Sequence, residues 1–103
     1  MADEKAVWTL GRWHAKPGCA DTFQQTWQAF ATWTARNQPG ASQAYLLRDD
    51  AEPDLFFSFG PWDDADDVAK WRSTPEFGAF AARVRELCDS FEPHSLTKVG
   101  EVA

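Results

Sequence analysis

The stretch that decides the fold is Trp62-Asp-Asp-Ala-Asp-Asp-Val-Ala-Lys-Trp71-Arg-Ser-Thr-Pro-Glu-Phe77. One aromatic closes a strand, carboxylates open a helix, and a second aromatic precedes a Ser-Thr-Pro break. Asp63 and Asp64 suit a helix N-cap: a carboxylate oxygen accepts from the free N–H groups there, and its charge faces the positive end of the helix dipole. The spacing predicts a short helix to about Arg72. A second helix follows the break and runs to about Cys88, with Phe77, Phe80, Val84 and Leu87 on one face.

Working outward, residues 55–59 (Leu-Phe-Phe-Ser-Phe) read as a strand ended by Gly60-Pro61. The acidic loop 49–54 separates it from a strand over residues 43–48. Residues 6–14 form the first strand, closed by Lys16-Pro17-Gly18. Both of its faces carry apolar groups, Val7, Thr9, Gly11 and Trp13 on one and Trp8 and Leu10 on the other, so cover is expected on both sides. Residues 19–37 form a helix in which Phe23, Trp27, Phe30 and Thr34 follow a 4-3-4 spacing, and Pro39-Gly40 lies beyond its end. Glu92-Pro93 is expected to end the last helical region, and a final strand to run from Ser95 to about Val102. The order is β-α-β-β-α-β. This predicts a ferredoxin-like α+β fold, an antiparallel four-stranded sheet with its helices on one face. A second copy is the economical cover for the other face, so a two-fold homodimer is expected.

The 103 residues fit one domain, with a core over about 6–102. A net charge of −6 with no basic run argues against nucleic-acid binding. Cys19 and Cys88 are too few and too far apart for a disulfide framework or a metal pattern, and read as thiols of a reducing compartment. No apolar run is long enough for a membrane span, and Met-Ala-Asp-Glu-Lys lacks a leader's apolar stretch, so a cytoplasmic location is expected. The aspartates at 63, 64, 66 and 67 are accounted for by capping, and no metal is expected there. The six Trp and eight Phe are many for this length; they suit a core, an interface or a pocket for a flat ligand, and most are expected to be core.

With Pro17-Gly18, Pro39-Gly40 and the Trp62, Trp71, Phe77 run in place, the chain resembles the antibiotic biosynthesis monooxygenase domain family, of the dimeric α+β barrel superfamily. The resemblance covers roughly residues 6–102. Similar domains include cofactor-free quinone-forming oxygenases and haem-degrading oxygenases. In the haem-degrading branch the iron-binding His would fall on Ala81 and the first-strand Asn on Gly11, and alanine offers iron no imidazole. The resemblance therefore implies a monooxygenase without cofactor, acting on an aromatic or polycyclic phenol. Trp71 would be the indole donor and stacking wall, and Trp13, Phe23, Trp27, Phe30, Phe59, Phe77 and Phe80 the remaining walls. The quinone-forming branch places Asn and Tyr near its pocket Trp, where this chain has Asp67 and Phe77. The alternative is a small-molecule binding module of the same fold with no turnover.

Overall fold

The computed structural model describes residues 7–103; the polar N-terminal segment and Ala6, expected to open the first strand, lie outside the described residues. Strand β1 (Val7–Ala15) is followed by helix α1 (Ala20–Asn37), β2 (Tyr45–Arg48), β3 (Leu55–Trp62), α2 (Ala65–Arg72), α3 (Pro75–Leu87) and β4 (Cys88–Thr97). β1 pairs antiparallel with β3 on one side and β4 on the other, and β2 extends the sheet beyond β3. The strand order is β2-β3-β1-β4, the ferredoxin-like arrangement expected from the element order.

The local chemistry of the helix ends is as the sequence implies. Asp64 caps α2, its carboxylate accepting from the Asp67 N–H at 2.9 Å. Thr74 caps α3 with Pro75 in its first turn, and its hydroxyl accepts from the Phe77 N–H at 3.1 Å. Gly18 and Gly40 take φ of +83° and +86° in the turns on either side of α1, a region that residues with a Cβ enter at a cost.

Two proline-containing stretches depart from expectation. β3 continues through Gly60-Pro61 to Trp62, because β1 stays paired with it up to Val7 while β2 begins only opposite Phe59, so Pro61 lies beyond the regular β2 ladder. β4 starts at Cys88 and carries Pro93 within it, and nothing after Thr97 forms a strand. As an edge strand β4 tolerates a missing N–H, since an edge has N–H groups that no neighbour requires.

Side chains alternate across the sheet, and the register separates two apolar faces. Gly11, Trp13 and Ala15 of β1 point to the helices with Phe56, Ser58 and Phe91 beside them. Phe23 of α1 is fully buried between Trp13 and Phe56, at ring-centroid distances of 5.2 and 5.1 Å. Phe91 stacks on Trp13 at 4.0 Å, and Val84, Leu87 and Cys88 complete the cluster. Trp8, Leu10, Phe59, Tyr45, Leu47 and Leu96 share the opposite face, where Tyr45, Leu47 and Leu96 are 48%, 53% and 43% exposed.

Removing the Phe23 ring leaves a void that neighbours on two layers cannot close. Phe23→Ala is expected to cost about 3–5 kcal/mol in urea denaturation. Burial pushes the Cys88 thiol up from 9.0 to about 11, with Cys19 and Asp89 adding to the effect. The unfolded chain gives up this proton first, so stability should fall between about pH 9 and 11. Melting curves across that range should show a smaller alkaline loss in Cys88→Ala than in the wild type; identical losses would mean the thiol is not responsible.

Candidate functional site

A cavity of about 340 Å³ lies between the helix-facing side of the sheet and the three helices. This falls within the roughly 300–1,000 Å³ of sites for small ligands. Its floor comes from Gly11 and Trp13 of β1 and Ser58 of β3, and its walls from α1, α2 and α3, with residues 41–44 at one end. Phe30 joins the aromatic walls. It stacks on Phe80 at 4.2 Å and on Trp71 at 5.8 Å, and meets Phe77 edge-on at 5.8 Å. Trp71 in turn lies 4.9 Å from Trp62 and 4.8 Å from Phe77, so the motif that decided the fold closes into one aromatic corner.

Of the residues expected to line a pocket, Trp13, Trp27, Phe30, Trp71, Phe77 and Phe80 border the cavity. Phe23 is not among its lining residues; it is packed behind Trp13 in the closed core. Phe59 borders the cavity, but its ring associates with Trp8 at 6.4 Å and Tyr45 at 5.6 Å on the opposite face of the sheet. Alternation along β3 explains this, since Ser58 points to the helices and its neighbour Phe59 must point away.

Three indole–hydroxyl pairs border the cavity. The Trp13 indole N–H donates to the Ser58 hydroxyl at 2.9 Å, the Trp71 indole N–H to the Thr34 hydroxyl at 3.0 Å, and the Trp62 indole N–H to the Thr9 hydroxyl at 3.1 Å. Trp71 therefore directs its N–H into Thr34 rather than into the open cavity. Ser58 and Thr34 are 9% and 7% exposed, and both line the cavity. Gly11 makes the first pair possible. A Cβ built there would stand 2.7 Å from the Trp13 Nε1, so the indole occupies the space that a side chain at position 11 would need. Gly11 also sits directly across from Ser58 in the β1–β3 register, which brings the folded-back indole within reach of the hydroxyl.

Charge is scarce at the lining. Among the described residues Arg72 is its single charged side chain, and its guanidinium donates to the Ser95 hydroxyl at 3.1 Å. No carboxylate or imidazole of the described residues lines the cavity. His14 approaches Glu52 at 3.9 Å at the far end of β1, and His94 is exposed on β4 opposite Leu10. Ala81 lines the cavity at the helix position where a haem ligand would be required, and it has no donor atom. Asp67 stands over Gly40 and is not part of the lining.

Sequence reasoning missed Ser58 and the use of Thr34. The signals were a polar residue at an inward strand position between phenylalanines, and a hydroxyl continuing the Phe23, Trp27, Phe30 stripe.

Solved structures share this architecture. SnoaB from Streptomyces nogalater, described as a cofactor-independent oxygenase, superposes with a TM-score of 0.86 at 23% identity, covering 96% of this chain and 98% of that one. PA3566 from Pseudomonas aeruginosa gives 0.79 at 20% identity, over 94% and 97% of the two chains. Rv0793 from Mycobacterium tuberculosis gives 0.81 at 18% identity, over 94% and 98%. At these identities the likeness speaks for the fold. No curated protein sequence matches the chain. Residues 7–83 match the family model for antibiotic biosynthesis monooxygenases, a span from β1 into α3 that includes all three indole–hydroxyl pairs. The chain belongs to the antibiotic biosynthesis monooxygenase family.

Proposed function

We propose that the protein is a cofactor-independent monooxygenase that oxidises an aromatic or polycyclic phenol in the cavity between helices and sheet. The observation that carries this reading is the cavity itself, walled by stacked aromatics and provided with hydroxyls rather than metal ligands. Flat walls hold a flat substrate through area burial and ring contacts. They also exclude water, which strengthens each polar contact with a developing anion.

The chemistry closes without another reductant. In the conversion of an anthrone to an anthraquinone, the substrate's enolate form gives electrons to dioxygen. One oxygen atom becomes the new carbonyl, and the other leaves as water with the two hydrogens of the methylene. The four electrons that reduce dioxygen come from that carbon. The protein's share is to bind the substrate, fix its orientation and favour its anion. Trp71 serves as a stacking wall and acts on substrate oxygen through Thr34. A second reading, binding without turnover, draws support from the absence of any carboxylate or imidazole among the described residues at the lining.

Oxygen uptake separates the two. With anthrone as substrate, the wild type is expected to consume one dioxygen per quinone formed. Trp71→Phe should keep most of the wall and lose the N–H that engages Thr34, lowering turnover by about five- to tenfold, the scale of one hydrogen bond. Ligand recovered unchanged from a stoichiometric complex, across a panel of anthrones and hydroquinones, would favour the binding module.

The apolar far face of the sheet supports a homodimer. Tyr45, Leu47 and Leu96 stand exposed there, and the buried Trp8 Nε1 has no hydrogen-bond partner among the described residues. A second copy packed sheet to sheet would cover the patch and could bring an acceptor to that indole. Native mass spectrometry is expected to give twice the chain mass, and Leu47→Glu combined with Leu96→Glu to give a monomer. A monomeric wild type would overturn this assembly.

A further inference from the structure

The cavity is lined by hydroxyls able to donate to a ligand and, among the described residues, by no carboxylate or imidazole to remove a proton. Of the three lining hydroxyls that receive an indole N–H, Ser58 and Thr34 are the buried two. Neither hydroxyl donates to any described residue, so each keeps its own hydrogen. A hydroxyl that accepts one hydrogen bond becomes a stronger donor for the next, because the two bonds polarise each other. Against aromatic walls such a donor favours an acceptor oxygen, and most strongly an anionic one. Among the described residues, Arg72 adds the one positive charge at the lining and no carboxylate lines this cavity.

From this we propose that Ser58 and Thr34 are substrate-binding donors for oxygen, and that the site captures its phenol as the phenolate or enolate. Gly11 and Trp13 act as positioning residues for Ser58, and Trp71 for Thr34. The ionisation belongs to the substrate: an acidic phenol or enol gives its proton to water, and the donor pair lowers the cost of the anion. The site thus selects a substrate class, planar aromatics whose hydroxyl ionises near neutral pH, over weakly acidic phenols of the same shape. This specificity rests on the reading of the cavity as a site for an aromatic phenol, and it holds whether or not turnover follows binding.

The test is spectroscopic and needs no turnover. 7-Hydroxycoumarin is a planar phenol that ionises near neutral pH, and its phenolate has its own absorption band. Titrated in the presence of excess protein, the bound probe is expected to ionise at a pH lower by about one unit or more, an anion preference of about tenfold, the scale of hydrogen bonds to a charged oxygen. Ser58→Ala and Thr34→Val should each move the bound transition back toward that of the free probe. Affinity for coumarin, which lacks the hydroxyl, should stay within about twofold. Thr34→Ser should behave as the wild type and guards against a purely structural effect. The proposal is overturned if the bound probe ionises at the same or a higher pH than the free one, or if neither form binds. It is equally overturned if only Arg72→Gln shifts the transition, or if the variants lose coumarin and hydroxycoumarin alike. Oxygen uptake with anthrone is measured separately, so loss of anion preference and loss of oxygenase activity can be told apart.

Discussion

The placement of the Trp13 indole is the constraint on which the site depends. Its ring touches α1 through Phe23, α3 through Phe80 and β4 through Phe91, and its N–H crosses to Ser58 on β3. One side chain thereby ties the central strand to four other elements. The same placement requires glycine at position 11, because the indole folds back over that residue. Core and cavity floor are one surface here. The ring that helps close the core around Phe23 also sets the direction of the Ser58 hydroxyl on the sheet side of the cavity.

This double use explains why the fold was legible and the site only partly so. Element order, caps and turns are local, and they follow from Asp64, Thr74, Pro75, Gly18 and Gly40 acting within a few residues of themselves. The ends of β3 and β4 are not local. Pro61 and Pro93 read as terminators, and the sheet accepts both because β2 is short and β4 lies at the edge. Aromatic identity likewise fails to separate wall from core. Phe23 and Phe30 lie on the same stripe of α1, yet the first is sealed behind Trp13 and the second faces the cavity. Phe59 is turned away by its place in the alternation, which became certain only with the register of β1 against β3.

The two faces of the sheet are built from different materials. Toward the helices, the indole donors of Trp13 and Trp71 have hydroxyl acceptors within the chain. On the other face the Trp8 Nε1 is buried with no such partner among the described residues, beside exposed Tyr45, Leu47 and Leu96. An unsatisfied buried N–H costs about 1–3 kcal/mol, so a chain that carries one beside an apolar patch gains from anything that supplies an acceptor there. Pressure toward assembly and the capacity to hold a ligand thus arise on opposite sides of one sheet, and they share β1.

A pocket can favour an anion either by placing a positive charge against it or by presenting neutral donors in a dry setting. Arg72 is exposed at the lining, where solvent screens its charge, so it contributes less than its formal charge suggests. Ser58 and Thr34 are buried and already oriented by indole N–H groups, so they spend little on reorganisation when a charged oxygen arrives. Neutral donors carry a further advantage for oxidation of an electron-rich ring. They hold the oxygen in place while withdrawing less electron density from it than a contacting cation would, and that density is what dioxygen must take up. Tryptophan at positions 13 and 71 then has a chemical reason beyond bulk: phenylalanine would fill much of the same space and leave both hydroxyls free to rotate away.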